Sequence, residues 1–124
     1  MRAMVIDDSR AMRSILRKHL GAIGFEVTAE GANGADAIAR LREAPTPDLA
    51  LVDWNMPEMN GLEFVAAVRA ERAWDSMRVV MVTTETEFEH IHTALAAGAN
   101  EYLMKPFTVD ALREKLALLG FEVS

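Results

Sequence analysis

Cysteine is absent from all 124 residues. That excludes a disulfide framework, a thiolate nucleophile and any cysteine-based metal site, and it fits a reducing compartment such as the cytoplasm. Long apolar runs are missing too. No stretch approaches the roughly 18 residues of a membrane span, and the opening MRAMVIDDS turns acidic too early for a secretory signal. Basic charge is in short supply: 13 Lys and Arg face 19 Asp and Glu, a net charge of −6. Direct nucleic-acid binding, which needs a basic face, is therefore not expected. The densest basic group, Arg10, Arg13, Arg17 and Lys18, reads as the solvated face of an amphipathic helix. His19, His90 and His92 have no metal-ligand spacing and read as structural. There is no repeat, low-complexity tract or linker.

Apolar residues make up 51% of the chain and charged ones 26%, the profile of one compact globular domain over residues 1–124, with no room for a separate output domain. Strand-like and helix-like segments alternate. Ala3 to Ile6, Phe25 to Ala29, Leu49 to Val52, Val79 to Val82 and Glu101 to Met104 are short apolar segments. Between them the period changes to 3.6 residues. Met12, Ile15, Leu16, Leu20 and Ile23 form one inward stripe, with Ser9 as N-cap and Gly24 as stop. Asn33 caps a second helix to Glu43 with Ala37, Ile38 and Leu41 inward, ended by Pro45 and Pro47. Leu62 to Arg72 forms a third, with Leu62, Val65 and Val68 on one side. Glu87 to Ala97 forms a fourth, closed by Gly98. Val109, Leu112, Leu116 and Leu119 mark a fifth. Five such units predict an α/β fold, a doubly wound five-stranded parallel sheet covered by helices on both faces.

In such sheets ligands gather beyond the C-terminal ends of the strands. The first strand ends in Asp7-Asp8, the third in Asp53, the fourth in Thr83-Thr84 and the fifth in Lys105-Pro106. The second ends in Glu30-Gly31, which carries no obvious chemistry. Three acids, a hydroxyl and an amine thus converge on one edge. Three carboxylates in one cleft repel one another. A raised pKa relieves that, and so does a hard divalent cation: Mg²⁺ takes one or two carboxylates, waters and a phosphate oxygen. A cation and a lysine beside a carboxylate suit a phosphoryl group, with Asp53 as ligand only or also as nucleophile.

VIDDS, LVDWNMPEMNG, VMVTTE and YLMKPF resemble, in order and spacing, the landmark segments of the receiver domain of bacterial two-component response regulators. The stand-alone length and Asp53-Trp54-Asn55-Met56-Pro57 look most like the single-domain chemotaxis type. The resemblance implies the flavodoxin-like strand order 2-1-3-4-5 and a role for each residue. Asp53 accepts a phosphoryl group from a histidine kinase, a histidine phosphotransfer protein or a small donor such as acetyl phosphate. Mg²⁺ is held by Asp8, Asp53 and the Asn55 backbone carbonyl, with Asp7 acting through water. Lys105 pairs with the phosphoryl oxygens, and Lys105-Pro106 is a cis peptide. Thr83 and Tyr102 form the switch, Thr83 moving toward the phosphoryl group and Tyr102 turning inward. Asn55 and Glu85 tune dephosphorylation, on a scale of seconds to minutes. An output protein binds the face of the fourth helix, fifth strand and fifth helix, where Phe88 joins Tyr102 if exposed. The chain is then a cytoplasmic monomer that signals, in chemotaxis or motility, and promotes its own phosphorylation and dephosphorylation without being an enzyme in the turnover sense.

Two other functions use similar residues. A phosphorelay intermediate would look the same. A small Mg²⁺-dependent aspartyl-phosphate phosphohydrolase usually carries a second Asp two residues after the nucleophile; that position is Asn55. A flavodoxin-like cofactor carrier needs a Ser, Thr and Gly-rich loop after the first strand, where Asp7-Asp8-Ser9 would repel a flavin phosphate.

Overall fold

The computed structural model describes residues 1–84 and 90–124. The expectations for Glu85, for Phe88 and for the first turn of the fourth helix lie outside the described residues. The strands are β1 (Arg2–Ile6), β2 (Glu26–Gly31), β3 (Leu49–Asp53), β4 (Arg78–Thr83) and β5 (Glu101–Met104). The helices are α1 (Arg10–Ile23), α2 (Gly34–Glu43), α3 (Gly61–Ala70), α4 (Ile91–Ala97) and α5 (Val109–Leu118). All strand pairs are parallel, in the order β2-β1-β3-β4-β5.

Strand alternation sorts the core into two layers. Met4, Ile6, Ala50, Val52, Val79 and Met81 face α2, α3 and α4, where Leu41, Phe64, Val65, Val68 and Ala94 cover them. Ala3, Val5, Leu49, Leu51, Val80 and Val82 face α1 and α5, under Leu16, Leu20, Ile23, Leu112 and Leu116. Because β1, β3 and β4 are covered on both sides, nearly every residue in them is apolar. The polar residue that ends each apolar run, Asp7, Asp53 and Thr83, stands at the C-terminal edge of the sheet.

Caps set the helix starts. Ser9, Asn33, Asn60 and Thr108 each accept a hydrogen bond from a backbone N–H three residues on. Asn60 and Glu63 complete a reciprocal capping box. Gly24 closes α1 at φ 113°, in the left-handed region that a side chain would disfavour.

Some details differ from the sequence reading. Ile15 is 47% exposed: the seam of α1 runs through Leu16, Leu20 and Ile23, and Ile15 lies at its edge, outside the sheet's reach. α3 stops at Ala70 because Glu71 turns extended (φ −106°, ψ 108°), and a short 3₁₀ turn, Arg72–Trp74, buries Trp74. Phe64 is fully buried where Leu62 is only partly so. The basic group on α1 is not all solvated: Arg13 and Arg17 pair with Glu30.

A half-buried guanidinium ties the far side together. Arg69 of α3 donates to the carbonyls of Gly98, Trp74 and Met77 at 3.0, 3.3 and 2.8 Å and to Asn100 Oδ1 at 2.9 Å. Burial lowers its pKa from the usual value. It fixes the C-terminal end of α4 to α3 and to the start of β5.

Candidate functional site

The parallel register delivers the tips of β1, β3, β4 and β5 to one edge. Ile6 lies opposite Val52, Asp53 opposite Val82, and Thr83 opposite Met104. The residues at or just past these positions are Asp7, Asp53, Thr83 and Lys105. A carboxylate oxygen from each of Asp7, Asp8 and Asp53 lies within 4.8 Å of the others. Asp7 and Asp53 are buried, at 1% and 6% exposure, while Asp8 faces solvent. Two buried acids beside a third are costly unless compensated.

The compensation is uneven. Lys105 places Nζ 3.1 Å from Asp53 Oδ1 but 3.7 Å from Asp7 Oδ2. Its ammonium therefore serves Asp53 first. Asp7 Oδ1 accepts the Ser9 backbone N–H at 2.8 Å, but the buried Oδ2 has no hydrogen-bond partner among the described residues. Burial pushes the Asp7 carboxyl above its usual range; the Ser9 N–H and Lys105 pull it down less, and Asp8 adds to the rise. An anionic oxygen left over beside two further carboxylates is the donor set of a hard cation, which supplies the charge that Lys105 does not. The acidic cluster can therefore bind a metal ion.

The flanking backbone is held firmly. Arg13 donates to the Asp7 carbonyl at 2.6 Å while pairing with Glu30. Glu30, at the end of β2, is thus part of the support for β1's tip, a role its position alone did not suggest. Its carboxyl is lowered from the usual range, chiefly by the hydrogen bond from Arg17. After Asp53 the chain leaves the sheet. Trp54 N–H donates to the Val82 carbonyl at 3.3 Å and Gly61 N–H to the Trp54 carbonyl at 3.0 Å. A Cβ on Gly61 would stand 2.7 Å from the Asp53 carbonyl oxygen, so only glycine lets α3 start this close to the acid.

Asn55 is exposed on this loop, two residues beyond Asp53. Thr83 is buried and donates its hydroxyl to the Thr84 carbonyl at 3.3 Å. The Lys105-Pro106 peptide is cis, and Lys105 N–H donates to the Thr83 carbonyl at 2.6 Å. Tyr102 is half-buried on β5, with Lys115 Nζ 4.4 Å from its ring centroid and 3.3 Å from Glu101 Oε1. That cation over the ring was not foreseen, since nothing in sequence aligns α5 with β5. Nor was the stacking of His90 on Trp54, with ring centroids 5.0 Å apart.

The family model for the response regulator receiver domain matches residues 3–117. The chain belongs to the response regulator receiver family. It is 44% identical over 116 residues to a chemotaxis protein CheY homolog of Campylobacter jejuni, covering 94% of this chain and 89% of the relative. It is 40% identical over 119 residues to chemotaxis protein CheY1 of Helicobacter pylori, covering 96% of each. Among solved structures, the chemotaxis response regulator CheY4 of Vibrio cholerae superposes with a TM-score of 0.85 at 35% identity, covering 95% of this chain and 97% of that one. A receiver of this kind is a phosphorylation-activated signalling domain of a two-component system. No helix among the described residues is long and apolar enough to cross a membrane.

Proposed function

We propose that residues 1–124 form one receiver unit in which Asp53 takes the phosphoryl group and Asp7, Asp8, Asp53 and the Asn55 backbone carbonyl hold Mg²⁺. The observation that carries this reading is the placement of the Lys105 amine 3.1 Å from Asp53 Oδ1 inside a three-carboxylate cluster. An Asp53 oxygen attacks the phosphorus of a phosphohistidine; the P–O bond forms as the P–N bond breaks, and the imidazole leaves with a proton from solvent. Lys105 moves from the carboxylate to the incoming phosphoryl oxygens and balances their charge. The bound cation supplies further charge stabilisation to those oxygens. Orientation and charge, not enclosure, carry this chemistry, which is why the domain promotes its own phosphorylation and, at a rate tuned by Asn55 and Glu85, its own dephosphorylation.

A phosphoryl group adds about 1.5–2 negative charges and three acceptor oxygens. The Thr83 hydroxyl exchanges the Thr84 carbonyl for one of them. Thr83 lies opposite Met104 and Met81 opposite Tyr102 in the β4/β5 register, so the movement is felt on the strand that carries Tyr102. Turning Tyr102 inward withdraws it from Lys115 and changes the face made by α4, β5 and α5, biasing a two-state equilibrium toward the form that binds an output protein. The names of its relatives favour chemotaxis as the process, and a histidine kinase is the donor in this reading. The protein acts as a cytoplasmic monomer in this reading.

Incubation with acetyl phosphate and Mg²⁺, followed by intact-mass measurement, tests it. The chain should gain one phosphoryl group, only with Mg²⁺ present, and Asp53→Asn should gain none. Multiple turnover of phosphate monoesters would favour the phosphohydrolase instead, and rapid back-transfer to a histidine phosphotransfer protein the relay.

A further inference from the structure

The phosphoacceptor loop is anchored at both ends by backbone. Trp54 bonds to Val82 and to Gly61, and the Asn60 cap begins α3. Between those anchors lie Asn55, whose carbonyl is assigned to the cation, and Glu58, whose φ of 64° is in the left-handed region. A non-glycine residue keeps that conformation only where its surroundings impose it. The side chain at the head of this loop is Trp54, half-buried against the α2–α3–α4 core layer. The imidazole of His90 also covers it, with the rings 5.0 Å apart and 21° from parallel. His90 is otherwise exposed, immediately precedes α4, and makes no capping hydrogen bond with its side chain. Among the described residues, Trp54 is the ring it stacks on.

We infer that His90 is a positioning residue for the phosphorylation site: by stacking on Trp54 it holds the loop that presents the Asn55 carbonyl, and it couples that loop to the head of α4. The inference rests on the metal-site reading above. The physical reason is preorganisation. A loop already fixed in the cation-binding shape loses little freedom when the cation binds, whereas a loop released from the stack must be ordered at that moment. The stack also supplies a route between the acidic cluster and the output face that does not pass through Thr83 and Tyr102. Since coupling is reciprocal, anything that docks on α4 and preserves the stack tightens cation binding by the factor with which the cation favours docking.

The stack is tested by titrating Mg²⁺ into the wild type, His90→Ala, His90→Phe, Trp54→Leu and the Trp54→Leu/His90→Ala double variant, followed by backbone amide NMR. That readout does not depend on tryptophan fluorescence. His90→Ala should weaken Mg²⁺ binding about three- to tenfold, the factor expected from losing one aromatic pair, and His90→Phe should restore it. In the Trp54→Leu background, His90→Ala should have no further effect. Phosphorylation by acetyl phosphate at subsaturating Mg²⁺ should fall in parallel and recover at saturating Mg²⁺. A His90→Ala protein with wild-type affinity overturns the inference. So does an effect that persists undiminished in the Trp54→Leu background, or a loss of unfolding stability with no change in affinity. A wild type that binds no Mg²⁺ overturns the metal-site reading first, and that result is read independently of any variant.

Discussion

Replacing Asp7 by Asn should stabilise the metal-free protein while abolishing its response to Mg²⁺. Asp7 is 1% exposed, its Oδ2 lacks a hydrogen bond among the described residues, and Lys105 stands nearer to Asp53 than to it. Two unit charges at the 4.8 Å limit of the cluster repel by about 3–4 kcal/mol at an effective dielectric constant of about 20. The repulsion from Asp8 is reduced because Asp8 faces solvent; that from buried Asp53 persists. Lys105 at 3.7 Å and the Ser9 N–H offset much of it. A net relief of about 1–2 kcal/mol remains, or roughly 4–8 °C in Tm for a domain of this size. The sign with pH follows from the raised pKa of Asp7. The folded protein keeps this proton to higher pH than the unfolded chain, so the destabilisation is absent below the ordinary value of 3.8 and grows as pH rises through the folded pKa. The advantage of Asp7→Asn should therefore be largest above the folded pKa of Asp7 and vanish below 3.8. Adding Mg²⁺ at ten times its Kd should stabilise the wild type by about 1.4 kcal/mol and the variant little. Thermal unfolding by circular dichroism, in EDTA and in Mg²⁺ across pH, measures all three. An Asp7→Asn protein less stable than the wild type in EDTA, or one stabilised equally by Mg²⁺, would refute the reasoning.

Lys105→Met removes the amine that balances the phosphoryl oxygens; phosphorylation by acetyl phosphate at saturating Mg²⁺ should slow about 10²–10³-fold, while Mg²⁺ titration still shows binding. Gly61→Ala drives a Cβ against the Asp53 carbonyl, so α3 must shift; Mg²⁺ affinity should fall and urea unfolding should show a loss of about 1–3 kcal/mol. Arg69→Met strips the carbonyls of Gly98, Trp74 and Met77 and Asn100 Oδ1 of their shared donor; Tm should drop by the equivalent of about 2–4 kcal/mol, with exchange of the amides of α4 speeding most. Glu30 has a lowered pKa, so it contributes stability above its ordinary 4.5 that is lost as pH falls through the folded value; Glu30→Gln should cost about 1 kcal/mol at neutral pH, with the difference disappearing in acid.

The acids at the strand tips were legible because two signals coincide there. An unbroken apolar run such as LALV ends on Asp53, and a loop with Pro57 and Gly61 follows at once. The helix caps at Ser9 and Asn33 were legible for a similar reason, since each precedes a 3.6-residue pattern. What was not legible depends on contacts between elements distant in sequence. Ile15 matches the helical period as well as Leu16 does; only the width of the sheet decides which is covered. The pairing of Arg13 with Glu30, the close approach of Gly61 to Asp53, the Lys115 ammonium over Tyr102 and the His90 ring on Trp54 each need the tertiary register. Arg69 looks like any exposed helical arginine until two connecting segments, α3–β4 and α4–β5, present their oxygens to it.

The most direct measurement of the central claim is a crystal structure with Mg²⁺ and beryllofluoride. The ion should lie about 2.1 Å from carboxylate oxygens of Asp8 and Asp53 and from the Asn55 carbonyl, with beryllium bonded to Asp53 and Lys105 Nζ on a fluoride. A cation bound away from these oxygens, or beryllofluoride on another carboxylate while Asp53 keeps its pairing with Lys105, would contradict it.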